Sequence, residues 1–110
     1  MKFDFLNISI IREFYNIKNG ETPELAKIRD KIYPKLKKAE KTKYLCKIRD
    51  RLQSMPSDLF NIAKIEKEKT IEWRYHLKSE NVCFNEFLFP DVKKEGMAIK
   101  ISGRWQIIEL

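Results

Sequence analysis

The sequence has few of the residues that build metal sites or redox centres. It contains one histidine and two cysteines, and Cys46 and Cys83 stand 37 positions apart with no C-x-x-C spacing. Neither a structural zinc site nor a redox pair is indicated, so we expect two reduced thiols, with a mutual disulfide as the alternative. The three glycines form no phosphate-binding loop. The sequence therefore predicts no metal and no cofactor.

Long hydrophobic runs are also missing. No apolar run exceeds three residues, as in Phe87-Leu88-Phe89, whereas a membrane-spanning helix needs about 20. The N-terminal residues lack the pattern of a secretory signal, because Asp4, Asn7 and Arg12 interrupt the apolar positions. We therefore expect a soluble intracellular protein, cytoplasmic or nucleoid-associated, with no membrane partner.

Core-forming residues, in contrast, are abundant. Of the 110 residues, 43% are hydrophobic and 12% are aromatic. A domain of this size buries about two-thirds of its unfolded surface and needs no disulfide framework to fold. The length predicts a single domain over residues 1–110 and argues against a multidomain enzyme.

The net charge of +7 is confined to one segment of the chain. Residues 1–21 contain three basic and three acidic side chains, and residues 56–110 contain nine of each. Residues 22–55 contain eleven basic and four acidic side chains, so they carry the whole excess. Positive charge gathered on one element creates a local field that attracts polyanions.

The first half of the chain shows the apolar spacing of amphipathic helices. This spacing predicts a helix over about 5–18 with Asp4 as its N-cap, and a second helix that starts at Thr22-Pro23-Glu24. The segment Leu25–Ile32 recurs in similar form as Leu45–Leu52. Basic amphipathic helices easily come to share similar short sequences without duplication. The alternative is a duplicated helix that presents one basic face twice.

A break divides the basic segment into two helices. The break is expected at Pro34 or within 40–43, and Pro56 ends the later helix. Ser57-Asp58 is then predicted to cap a short fourth helix that continues to about Lys67. Its inward side chains would be Leu59, Ile62 and Ala63.

Beyond Thr70 the apolar period changes from about 3.6 to 2. Residues 70–78 alternate strictly between apolar and polar side chains, which predicts a half-buried strand. Further expected elements are a turn at 79–81, a strand over 82–89 with a bulge near Asn85, a loop at 90–96, and strands 97–102 and 105–110 around a Gly103-Arg104 turn.

These elements predict an α+β fold. The helical half spans about 5–68, with three or four helices of which the middle ones are basic. An antiparallel sheet of three to four strands follows over about 70–110.

The basic segment supplies most of the candidate binding residues. Lysines cluster opposite the apolar face of the second helix, and the third helix carries cations at four-residue spacing. Two more cations project from the polar face of the 70–78 strand and extend the basic surface. The candidate nucleic-acid or polyanion-binding residues are Lys27, Lys31, Lys38, Lys43, Lys47, Arg51, Arg74 and Lys78.

Three functions are compatible with this pattern. The first is a non-enzymatic nucleic-acid-associated protein that contacts the phosphate backbone of DNA or RNA, because no base-reading motif is present. The second is a protein-interaction module, a small regulator or inhibitor that docks its basic face on an acidic partner. The third is a small endoribonuclease with His76 as general acid or base, beside Glu72 and Arg74 on one strand face.

Two ordinary alternatives accompany these functions. The lysines form only a solvent-facing surface in which acidic residues are interleaved. The strand aromatics are expected mainly in the core, although two or three exposed on one face would be able to stack nucleobases. These aromatics are Trp73, Tyr75, Phe84, Phe87, Phe89 and Trp105.

Overall fold

The computed structural model describes residues 3–17, 23–84 and 96–109, which form three α-helices followed by five strands. The α+β class with N-terminal helices is confirmed. The elements are α1 (Phe5–Tyr15), α2 (Leu25–Ile32), a 3-10 turn (Lys38–Glu40), α3 (Lys41–Ser54), β1 (Phe60–Glu66), β2 (Ile71–Leu77), a second 3-10 turn (Ser79–Asn81), β3 (Val82–Phe84), β4 (Gly96–Ile101) and β5 (Arg104–Glu109). No helix in these three ranges is long and apolar enough to cross a membrane.

Helix α1 begins where its cap was predicted. The Asp4 carboxylate accepts a hydrogen bond from the Asn7 backbone N–H at 3.0 Å, which satisfies one of the unpaired donors of the first turn. Helix α2 begins later than predicted. Its N-cap is Glu24, in an extended conformation at φ −70° and ψ 141°, and Thr22 lies outside the described residues.

The break in the basic segment falls at Pro34, and the chain continues without a break through 40–43. Helix α2 ends at Ile32, because Tyr33 precedes Pro34 and takes the non-helical angles φ −124° and ψ 77°. The chain then turns through Lys38–Glu40 before α3 begins. Helix α3 ends at Ser54, just before Pro56 as predicted.

The predicted fourth helix over 57–67 is wrong, because residues 60–66 form strand β1. Strand β1 pairs antiparallel with β2 along its whole length, with Phe60 opposite Leu77 and Ile62 opposite Tyr75. Reciprocal backbone hydrogen bonds of 2.8 and 3.3 Å between Lys67 and Thr70 close the hairpin. A short isolated helix is marginal in water, whereas β2 gives this segment a partner strand along its whole length. The helical half therefore ends at 54 instead of 68.

The strands form two antiparallel sheets instead of the single predicted sheet. One contains β1 and β2, and the other has the order β3-β4-β5. Asp58 joins them: its carboxylate accepts from the Ser102 backbone N–H at 3.1 Å, and its carbonyl accepts from Asn81 Nδ2 at 2.7 Å. The strand predicted over 70–78 is confirmed. The remainder of the predicted 82–89 strand, with its bulge near Asn85, and the start of the 90–96 loop lie outside the described residues.

The β4–β5 hairpin turns one residue earlier than predicted. Its two central residues are Ser102 and Gly103, at φ 53° and 77°, and Ile101 pairs with Arg104. Positive φ at both central positions defines a type I′ turn, whose twist matches that of the flanking strands. The glycine stands second in the turn because the left-handed conformation there suits a residue without a Cβ.

The core lies where the three helices pack against the inner sides of both sheets. Its fully buried side chains include Ile10 and Ile11 of α1, Ile48 of α3 and Ile99 of β4. Strand β2 enters this core through Tyr75 and Leu77.

The distal half of the β1–β2 hairpin remains outside the core. Ile62 is 52% exposed, Ile71 55% and Trp73 50%. This half of β2 lies beside the start of α2, and grooves form along both sides of the contact.

Candidate functional site

A groove of about 440 Å³ brings together basic residues from α2 and β2. Lys27 and Lys31 stand one helical turn apart on α2, so both side chains project in the same direction. Arg74 reaches the groove from β2. The described lining, which we call the basic groove, consists of Ile17, Pro23, Glu24, Lys27, Ile28, Lys31 and Arg74. Three of the predicted binding residues therefore meet in one concavity.

Arg74 is held in place by two carboxylates. Its guanidinium lies 2.8 Å from Glu72 and 3.6 Å from Glu24, and its side chain is 18% exposed. Lys67 at the hairpin turn contacts Glu72 at 2.7 Å. The hydrogen bond from Lys67, followed by the charge of Arg74, holds the pKa of Glu72 below its ordinary value. A row of side chains with alternating charge thus runs from the hairpin turn to the start of α2, in the order Lys67, Glu72, Arg74 and Glu24.

The basic groove keeps a positive excess despite this pairing. Its lining contains three cations and one carboxylate, that of Glu24. Lys27 and Lys31 are exposed, and neither is ion-paired with another described residue. Unpaired ammonium groups are available to neutralise phosphates and release counterions.

A second groove of about 390 Å³ lies beside the first and shares Glu24 with it. The indole of Trp73 forms part of its wall, and Lys64, directly opposite in the strand register, places Nζ 6.0 Å from the ring centroid. Helix α3 contributes Arg49. The described lining, which we call the tryptophan groove, consists of Glu24, Leu25, Ala26, Leu45, Arg49, Ile71, Glu72, Trp73 and Tyr75.

The other lysines proposed from the sequence lie away from both grooves. Lys38 is exposed in the 3-10 turn before α3, and Lys43 is exposed on α3 itself. Lys47 places Nζ 5.0 Å from the ring centroid of Tyr44, and Lys78 is half-buried just after β2. The structure brings none of these four into the described lining of the basic groove.

The repeated segments 25–32 and 45–52 are both helical, but cations at equivalent positions make different contacts. Lys31 lines the basic groove, whereas its counterpart Arg51 pairs with Asp4 and also donates to the Asn7 side chain at 3.3 Å. Arg51 thereby attaches α3 to the N-terminus of α1. We leave it out of the proposed binding surface, because it is not in the described lining of either groove.

Removing the Asp4 carboxylate tests that contact. The Asn7 backbone hydrogen bond, followed by the bond from Arg51, lowers the pKa of Asp4, so its stabilising effect is present at neutral pH and disappears as pH falls through the lowered pKa. We expect Asp4→Ala to reduce the free energy of unfolding by about 1–2 kcal/mol at neutral pH. Urea unfolding at neutral and at strongly acidic pH measures this.

The matched control is Asp50→Ala on α3, whose exposed carboxylate is 4.0 Å from Arg49. This control should change stability by less than about 0.5 kcal/mol. At a pH well below the lowered pKa of Asp4, the carboxylate is protonated in the wild type. The free energies of unfolding of Asp4→Ala and wild type should then differ only by the effect of the smaller side chain. A penalty that persists unchanged in acid would show that the carboxylate charge is not what stabilises α1.

His76 lies half-buried on β2, opposite Asn61 in the strand register. It shares a strand face with Glu72 and Arg74, as the alternation predicts. It lines neither of the two grooves. Cys46 and Cys83 are both half-buried free thiols. Within the ranges that the structure describes, no group of three or more His, Cys, Asp or Glu side chains is arranged to hold a metal ion.

The exposure of Trp73 departs from the expectation that the strand aromatics fill the core. Tyr75 is buried and Phe84 packs partly against the core, whereas Trp73 and Trp105 are 50% and 51% exposed. Phe87 and Phe89 lie outside the described residues. Sequence reasoning also missed Lys64 as a neighbour of Trp73, because residues 57–67 fit a helix, and it missed Arg49 because no local signal reports how α3 packs.

Comparison of the chain with protein-family models, with curated proteins and with solved structures gives no match.

Proposed function

We propose that this protein is a non-enzymatic nucleic-acid-associated protein that binds the phosphate backbone in its basic groove. The observation that carries the proposal is the meeting of Lys27, Lys31 and Arg74, from separate elements, in one concavity of about 440 Å³. The two lysines have no acidic partner among the described residues, so a phosphate is not opposed by an existing ion pair there.

The chemistry of the groove suits a polyanion better than a single small anion. Ammonium groups on flexible stems act as point charges and do not impose the geometry of one bidentate ligand. The described lining otherwise includes the apolar side chains of Ile17, Pro23 and Ile28, so the favourable contacts of a phosphate come from the cations. Affinity of this kind is independent of base sequence and falls steeply with salt.

A salt-dependent titration tests the proposal. Three cations that neutralise phosphates predict a slope of about −2 to −3 for log K against log salt concentration, and a Kd of about 10⁻⁴ to 10⁻⁶ M near physiological salt. Fluorescence anisotropy of a labelled oligonucleotide measures both quantities. Absence of binding at about 50 mM salt would contradict the proposal.

The same titration with polyglutamate of equal charge separates the two classes of partner. Duplex DNA should bind more tightly, because it carries one charge per about 1.7 Å of its axis, whereas extended polyglutamate carries one per about 3.3–3.6 Å. Polyglutamate binding that equals or exceeds nucleic-acid binding would instead indicate a module for an acidic protein surface.

A further inference from the structure

Trp73 is exposed although a neighbouring aromatic side chain on the same strand face is buried. Tyr75 lies two positions further along the same strand face and is only 2% exposed, whereas Trp73 is 50% exposed. Ile71, on the same face, is 55% exposed. Adjacent exposed apolar side chains at a groove mark a surface for a ligand.

The side chains around Trp73 define the kind of ligand that fits. The apolar part of the wall comes from Leu25, Ala26 and Leu45, while Arg49 stands in the lining and Lys64 lies against the indole. Lys64 is itself ion-paired with Glu66 at 3.3 Å, so the exposed indole offers mainly a flat apolar surface to a ligand. A nucleobase fits such a surface, because every base has a face that stacks on an aromatic ring.

The carboxylates of Glu24 and Glu72 also line the tryptophan groove. They oppose the entry of a phosphate there, whereas the basic groove has a positive excess. Base amino groups, in contrast, donate hydrogen bonds to carboxylates. The two grooves therefore favour different parts of one nucleotide chain.

We propose that the tryptophan groove takes an unstacked base of single-stranded nucleic acid while neighbouring phosphates lie in the basic groove. This inference rests on the proposed function and specifies its substrate class. The grooves adjoin at Glu24, so one flexible strand can reach both. A duplex keeps its bases stacked inside the helix and cannot offer one to Trp73 without unpairing.

Trp73 fluorescence gives a direct test. The chain has two tryptophans, so Trp105→Phe leaves Trp73 as the only indole. The probes are oligo-dC and oligo-C of about ten nucleotides, whose bases carry an amino group, a duplex of equal length, and base-free polyphosphate. We expect saturable quenching by the single strands and little quenching by the duplex or polyphosphate. The dC and C arms, which differ only in the sugar, show whether DNA or RNA is preferred.

Substitution of Trp73 provides the second measurement. Trp73→Ala should lower single-strand affinity about tenfold, because one stacked base contributes that much, and should change polyphosphate affinity less than twofold. If Trp73→Ala folds poorly, Trp73→Leu replaces it. This variant keeps apolar bulk without a ring and should show the same loss of single-strand affinity. The matched control is Trp105→Ala on β5, equally exposed but remote from both grooves, with unchanged affinity for all probes.

The outcomes separate this inference from the proposed function. Salt-dependent binding of every probe, with no quenching and no effect of Trp73→Ala, would overturn base stacking while leaving backbone binding intact. Binding of none of the probes would overturn both. A loss for polyphosphate equal to that for single strands would show that Trp73 shapes the grooves without stacking a base.

Discussion

Reversing the charge of Lys27 and Lys31 together is expected to lower the affinity for nucleic acid about 100-fold at low salt. The double variant Lys27→Glu/Lys31→Glu replaces two attractive contacts with two repulsive ones, each change contributing about 1–2 kcal/mol near a protein surface. Because two phosphate contacts are lost, the salt slope should fall in magnitude by about 2. Anisotropy titrations at several salt concentrations measure the affinity and the slope together.

The control is Lys38→Glu/Lys43→Glu, which changes the net charge equally at two exposed positions outside the groove lining. We expect this variant to lose less than about tenfold, through the long-range field alone. Equal losses in the two double variants would show that net charge matters and the groove does not. Circular dichroism verifies that both remain folded.

A change of opposite sign strengthens the comparison. Glu24 lines both grooves and lies 3.6 Å from the Arg74 guanidinium, while its side chain makes no capping hydrogen bond to α2. Glu24→Gln should therefore raise nucleic-acid affinity by about two- to fivefold without loss of the helix. A decrease would mean that Glu24 is needed to position Arg74.

The largest expected effect on stability comes from Tyr75→Ala. Tyr75 is 2% exposed and belongs to the core cluster through which β2 packs against the helices. Truncating a buried aromatic side chain costs about 3–5 kcal/mol, a large share of the roughly 5–15 kcal/mol that stabilises a small domain. Urea unfolding followed by circular dichroism is the measurement.

Its matched control lies directly opposite in the hairpin register. Ile62 faces Tyr75 across the strands but is 52% exposed, so Ile62→Ala should cost less than about 1 kcal/mol. Tyr75→Phe keeps the ring and should cost less than about 1.5 kcal/mol. If Tyr75→Ala were no more damaging than Ile62→Ala, the hairpin would not depend on Tyr75 for its attachment to the core.

The predictable part of the fold depends on local signals. Asp4 caps α1, Pro34 and Pro56 limit helices, and strict alternation identifies β2, because each signal acts within a few residues. Strand β1 escaped prediction because the spacing of Leu59, Ile62 and Ala63 also fits a helix. Only pairing with β2, which has no local signature in residues 60–66, decides between the two.

For the site, too, local sequence signals predict one part, and packing between distant segments decides the rest. The four-residue spacing of Lys27 and Lys31 placed them on one helix face, and alternation placed Arg74 on the polar face of its strand. Their meeting in one groove depends on how β2 packs beside α2, which residue spacing does not specify. Arg51 matches Lys31 in the repeated segment, yet it pairs with Asp4 across a sequence distance that no local pattern reports.

In the described part of the chain, every strand pairing joins strands that are consecutive along the sequence. Such pairings close short loops, which favours rapid folding and allows the β1–β2 hairpin to open and re-form as a unit smaller than the whole protein. Since β2 supplies Arg74 to one groove and Trp73 to the other, each opening of the hairpin dismantles both grooves at once. A bound strand that contacts α2 and β2 together would stabilise the closed hairpin, and the ratio of closed to open forms would rise by a factor of one plus the free strand concentration divided by Kd.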